Sequence, residues 1–182
     1  VVEIDAQSFT LPWSAQTYSY EITESDHSHM VVLERVEPLP TSGALQTMWR
    51  RIIGARTTRR TLLAYGGLWD LGRSTHISTI ASHPEHRGKG FGELALVAML
   101  RRSIHLNARH VMLEVRISNA NAQRLYQKYG FKQRRIKEKY FLDKKKEAYE
   151  MSLDLYDAMR TRNIEQQYRK FQQRFNLDDR YT

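Results

Sequence analysis

Cysteine is missing altogether from the 182-residue chain. That absence removes disulfides, thiolate-bound metals and cysteine nucleophiles together, so any chemistry must rest on oxygen and nitrogen groups. No stretch approaches the roughly 18 uninterrupted apolar residues a membrane-spanning helix needs, and no basic-then-apolar leader opens the sequence. Both absences point to a soluble protein without a membrane partner. The first residue is Val1 rather than Met, so the expected location is the cytoplasm, or a plastid if a leader was trimmed. Zinc-ligand spacing is absent, as is the glycine-aromatic strand that stacks RNA bases. His27 with His29, and His83 with His86, have no third ligand at convincing spacing. Neither a metal nor sequence-specific nucleic-acid recognition is therefore expected.

What the chain does contain is enough apolar material, 41% of its residues, for one well-buried domain. Its formal net charge of +9 favours a polyanionic partner such as nucleic acid, the ribosome or a phosphorylated cofactor. A well-solvated basic surface would give the same charge.

Along the chain, Leu11-Pro12-Trp13-Ser14 marks one helix ending and another starting. A strand-like run covers residues 30–36. Residues 37–60, opening on Pro38-Leu39-Pro40 and ending in an arginine cluster, read as an insertion between strands. Short β-rich runs at 62–69 and 75–82 flank a hairpin turn at Asp70-Leu71-Gly72-Arg73. The segment 93–106 is almost wholly apolar in its first half and predicts a helix buried on most sides. Val111, Leu113, Val115 and Ile117 alternate with Met112, Glu114 and Arg116, the period of a two-faced strand. Ser118 then caps a helix with the stripe Ala122, Leu125, Tyr126 and Tyr129, stopped by Gly130. Strands are expected around 134–141 and 148–155. The tail, 156–182, places Ile164, Tyr168, Phe171 and Phe175 on one face of an amphipathic helix, which makes 1–155 the main domain.

The strongest chemical signal is the order strand, then Arg87-Gly88-Lys89-Gly90-Phe91-Gly92, then helix. Glycines let the backbone turn sharply and approach a ligand, and the free amides and positive dipole of a helix start bind phosphate. Arg87 and Lys89 add charge suited to a phosphorylated cofactor. Alone, so short a glycine pattern is equally consistent with an ordinary turn. Glu114 sits on the strand face opposite the apolar set, where partial burial would raise its pKa toward that of a useful base; the alternative is a surface carboxylate paired with Arg116 or Lys132. Tyr126 in its apolar stripe reads equally as a core tyrosine. Trp13 is either a core anchor or a wall of a substrate entrance, and Lys144-Lys145-Lys146 a solvated hairpin.

The run from Arg87 to Gly92 resembles the Arg/Gln-x-x-Gly-x-Gly/Ala acyl-CoA signature of the GNAT superfamily, with Arg87, Gly90 and Gly92 on its defining positions. Asn119-x-x-Ala122-x-x-Leu125-Tyr126 followed by Tyr129-Gly130-Phe131 is similar to that superfamily's second half. Phe9-x-x-Pro12-Trp13-Ser14, Leu113-Glu114-Val115-Arg116-x-Ser118-Asn119 and Tyr140-Phe141 narrow the likeness to the ribosomal-protein alanine N-acetyltransferases and their protein N-terminal relatives. It departs from them at Ser82-His83, where Val-Asp is more usual, and at Phe141, where a second tyrosine is common.

The resemblance implies an α/β GNAT fold: a mixed, largely antiparallel sheet flanked by helices and splayed where acetyl-CoA inserts between the strands at 75–82 and 110–117. It implies direct attack of an amine on the thioester, with Glu114 as base and Tyr126 as acid. Ile80, Ala81, Ser82, Arg87, Gly88, Lys89, Gly90, Phe91, Gly92, Asn119 and Tyr126 would contact the cofactor, and Trp13 and Tyr140 the substrate. The implied partner is a protein N-terminal peptide, that of a ribosomal protein, with ribosome contact through the basic surface. The competing functions are acetylation of a lysine or small amine, and a noncatalytic acetyl-CoA-binding or ribosome-interaction module.

Overall fold

The structure is a computed structural model that describes residues 1–39, 58–141 and 146–181, with the side chains of 139–141 and 146 left out. Two short helices, α1 (Val2–Ser8) and α2 (Ala15–Thr23), open the chain. Ser14 caps the second by accepting the Thr17 amide at 3.0 Å. Then come β1 (Ser28–Pro38), β2 (Thr58–Asp70) and β3 (Ser74–Ser82), a single 3-10 turn at Pro84–His86, and helix α3 (Phe91–His105). Strand β4 (His110–Arg116), helix α4 (Ala120–Lys128), strands β5 (Lys132–Phe141) and β6 (Lys146–Asp154), and helix α5 (Ala158–Phe175) complete the described chain. The strands form one sheet in the order β1-β2-β3-β4-β6-β5, in which only β3 and β4 run parallel. The expected mixed, largely antiparallel sheet is thus observed.

Turn chemistry explains the β2–β3 hairpin: Gly72 takes φ +80°, and its amide donates to Asp70 Oδ1 at 2.8 Å. Helix α3 is buried over Leu94–Leu100 because the sheet covers one side and α5 the other. Ile164, Tyr168 and Phe171 of α5 are buried, and the Arg101 guanidinium lies 3.8 Å from the Tyr168 ring centre while donating to Glu165 at 2.8 Å. The stripe read from the tail is therefore core surface, each large apolar side chain contributing roughly 1.5–3 kcal/mol.

Two expectations need correction. The ends of the supposed insertion are strand, since β1 and β2 pair as far as Pro38 opposite Thr58. Their outer rungs carry charge rather than an apolar alternation, with Arg60 3.2 Å from Glu34, so the pattern of a half-buried strand was missing. Residues 40–57, the middle of that insertion, lie outside the described residues, as does Lys144-Lys145. The second correction is the cap of α4: Asn119 rather than Ser118 fills it, accepting the Ala122 amide at 3.2 Å. An Asn at this position is as good an acceptor as Ser. Among the described residues no helix is long and apolar enough to cross a membrane.

Candidate active site

Strands β3 and β4 pair only from Ser74 opposite His110 to Ile77 opposite Leu113, and then diverge. Each finds another neighbour beyond that point, β3 on β2 and β4 on β6, so the fork costs few hydrogen bonds. At the fork the β2–β3 register slips between Gly67–Thr79 and Leu68–Ile77, making Ser78 an extra residue. Such a bulge interrupts the ladder locally and re-aims the chain. The opening is a cleft of about 340 Å³ running from Phe9, Leu11 and Trp13 past Ile77 and Leu113 to Asn119 and Tyr126.

At the far end of β3 the chain turns into α3. Gly88 and Gly90 take φ +75° and +94°, and Gly90 caps a helix of fifteen residues whose first amides have no partner within the helix. A Cβ on Gly92 would stand 2.7 Å from Ser82 Oγ, so any larger residue there would require Ser82 to rotate or the first turn of α3 to shift. These features fit a cofactor whose phosphates need backbone amides at close range. Arg87 donates to Ser8 Oγ at 3.1 Å, and Lys89 to the Glu85 carbonyl at 3.2 Å, so both cations sit beside the turn on local acceptors. Phe91 is buried against Phe175, with ring centres 5.1 Å apart, and holds the helix start rather than facing the opening. Ile80 lines the cleft; Ala81 packs beside Tyr18 and Tyr65.

Glu114 projects from β4 into the cleft with its side chain only 8% exposed. His76 Nε2 lies 2.7 Å from Oε2, and Lys137 Nζ 2.5 Å from Oε1. Burial alone pushes this carboxyl up, but hydrogen bonds from His76 and Lys137, with their charge, overcome it and hold it down at about 2. The expectation of an elevated pKa is therefore reversed, and the partners seen on the carboxylate are His76 and Lys137. Lys137 also lies 3.1 Å from Glu150, and against the effect of burial the two carboxylates hold its ammonium above the ordinary range.

Tyr126 is buried beside Phe131, and its hydroxyl makes no hydrogen bond among the described residues. Burial pushes it up to about 12, which keeps it protonated and able to donate to a developing anion. Asn119 lines the cleft while capping α4. Trp13 unites its two readings: it borders the cleft and packs on Tyr18 and Trp69, with ring centres at 5.3 and 6.2 Å. Tyr140 falls within β5, but its side chain lies outside the described residues. Among the described residues no three His, Asp or Glu are grouped to hold a metal.

Three residues escaped the sequence reading. His76 and Lys137 reach Glu114 only through strand pairing. Asp5, 1% exposed, accepts from the Tyr18 and Tyr65 hydroxyls and from the Trp13 amide, at 2.6 Å, clasping the α1–α2 loop over the cleft. Its place in a short helix gave no signal for that clasp.

A sheet splayed between its two parallel strands, with a glycine turn feeding the helix beside the fork, is an architecture suited to an extended phosphorylated cofactor. The chain belongs to the acetyltransferase (GNAT) family, which it matches over residues 1–131. A Bacillus subtilis protein provisionally named [ribosomal protein bS18]-alanine N-acetyltransferase is 31% identical over 81% of this chain and 83% of its own length. The Mycobacterium tuberculosis N-alpha-acetyltransferase RimI is 29% identical over 85% of each chain. In fold, the chain is similar to the crystal structure of the Escherichia coli ribosomal-protein-S18-alanine N-acetyltransferase, with a TM-score of 0.61 at 20% identity over 86% of each chain. Enzymes of this family use acetyl-CoA.

Proposed function

We propose that the protein is an Nα-acetyltransferase whose acceptor is a protein N-terminal amine, that of a ribosomal protein beginning with alanine. The observation that carries this reading is the fork, where Glu114 and Tyr126 border one cleft that is also walled by Trp13 from the α1–α2 loop. The Bacillus subtilis relative named for ribosomal-protein alanine acetylation covers 81% of the chain and supports the same acceptor. The net charge of +9 suits a substrate met on or near the ribosome, in the cytoplasm.

Bound acetyl-CoA would supply an acetyl thioester. Amides at Gly90 to Gly92 and at the start of α3 would hold its phosphates, and β3 beyond Ser78 would hold its arm. Glu114 faces the incoming amine. Tyr126, kept neutral by burial, gives its proton to the departing sulfur. Incubating the protein with acetyl-CoA and peptides that differ only in their first residue tests this reading by mass spectrometry. Preferential acetylation of the alanine peptide is expected; no transfer to any N-terminus would refute it.

A further inference from the structure

We propose that Arg174, in the last turn of α5, binds the diphosphate of acetyl-CoA, so that the C-terminal helix completes the cofactor site at the turn before α3. This rests on the reading that the turn takes an acyl-CoA. It adds a side chain from a helix that lies beyond residue 131, where the family match ends.

Helix α5 runs antiparallel to α3. Arg101, late in α3, meets Glu165, whereas Phe175, the last residue of α5, packs on Phe91, the first residue of α3, with ring centres 5.1 Å apart. Phe171 and Phe175, one turn apart, stack at 5.9 Å, and both reach the glycine turn itself. A Cβ built on Gly90 would lie 3.6 Å from Phe171 Cε1, 4.0 Å from Phe175 Cζ and 3.6 Å from Arg174 Nη1. Gly90 is the residue that caps α3, so the guanidinium stands beside the start of that helix. Asn176 then ends α5 in the left-handed region, at φ +48°, with its amide donating to the Gln172 carbonyl. The helix stops where it meets the turn.

The other cations of the turn are already engaged, Arg87 on Ser8 Oγ at 3.1 Å and Lys89 on the Glu85 carbonyl at 3.2 Å. Arg174 is exposed and has no hydrogen bond or ion pair among the described residues; its guanidinium lies 4.9 Å from the centre of the Phe175 ring. Carboxylates on the same two helices and the segment after them have partners elsewhere. Glu93 takes Lys128 and Tyr129, each at 2.6 Å, and Asp178 takes Arg180 at 2.8 Å.

A basic residue in a last turn offsets the negative end of its own helix dipole, which alone would account for a cation at this position. It does not account for where the guanidinium reaches, which is the positive start of a second helix. Two positive groups side by side gain from an anion between them. A phosphate taken up by the amides of Gly90 to Gly92 would be that anion, met by backbone donors on one side and by a planar fork of N–H donors on the other. Cofactor binding and docking of the end of α5 then favour each other, as any such coupling is reciprocal.

The test is calorimetric titration with CoA and with dephospho-CoA, which keeps the diphosphate and lacks the 3′-phosphate. Arg174→Met keeps a stem beside Phe175 and removes the charge. It should weaken both ligands alike, by about 10-fold at low salt, and flatten the salt dependence of binding, with little change in the Tm of the free protein. Arg174→Lys should recover part of the loss. CoA should slow amide exchange over residues 171–176 in the parent and do so less in Arg174→Met. Equal affinity of the parent and Arg174→Met for CoA would overturn the proposal. So would a loss seen with CoA and not with dephospho-CoA, which would move the guanidinium to the 3′-phosphate. A parent that binds neither ligand would remove the cofactor reading itself, and this proposal with it.

Discussion

Replacing Gly92 with alanine probes the closest approach in the cofactor region. The new Cβ would lie 2.7 Å from Ser82 Oγ, about 0.7 Å inside ordinary van der Waals contact. Either Ser82 rotates or the first turn of α3 shifts by several tenths of an ångström, moving amides that must meet the phosphates at close range. Losing one charge-assisted hydrogen bond costs about 1.5–3 kcal/mol, so acetyl-CoA should bind about 10- to 100-fold more weakly. Calorimetric titration reads the affinity, and circular dichroism checks the fold. The double variant Gly92→Ala with Ser82→Ala removes the oxygen that collides and should recover most of the loss, a coupling expected of contacting residues. Unchanged affinity in the single variant, or no recovery in the double, would refute the close-approach argument.

Tyr126→Phe should slow single-turnover acetyl transfer by about 10²–10⁴-fold with little change in acetyl-CoA affinity, because a proton donor is lost while shape and burial stay. Phe171→Ala, which opens a cavity between α5 and the rest of the core, should destabilise the protein by about 3–5 kcal/mol and lower Tm by roughly 6–20 °C in a thermal scan. For pH, Glu114 ionises near 2 when folded and near 4.5 when free, so its contribution of about 3 kcal/mol is present above roughly pH 5 and is lost as pH falls toward 2. Urea unfolding at pH 6 and pH 3 should show a smaller loss in Glu114→Gln than in the parent; equal losses would contradict the His76–Lys137 clamp.

Much of the fold was legible because its signals are local. The alternation at Val111–Ile117, the glycines before α3 and the stripe Ile164, Tyr168, Phe171 each declare their element within a few residues. The outer ends of β1 and β2 were not legible, since two strands exposed and charged on their outer rungs lack the apolar period. The cleft's position followed from the motifs, but its electrostatics did not. Lys137 meets Glu114 only because β6 places itself between β4 and β5, and His76 only because β3 and β4 are parallel neighbours at their starts. Glu114 was legible as a half-buried carboxylate; the direction in which its proton affinity moves depends on two donors far away in sequence. The same holds for Asp5, whose three partners come from the α1–α2 loop, α2 and β2.

The central claim is that this cleft transfers acetyl to an α-amine. One peptide carrying both a free N-terminal alanine and an internal lysine tests it most directly, with fragment masses locating the acetyl group after incubation with acetyl-CoA at pH 7.5. The account predicts modification confined to the N-terminus, abolished when that amine is blocked beforehand. Acetyl on the lysine, in the open or the blocked peptide, would contradict it.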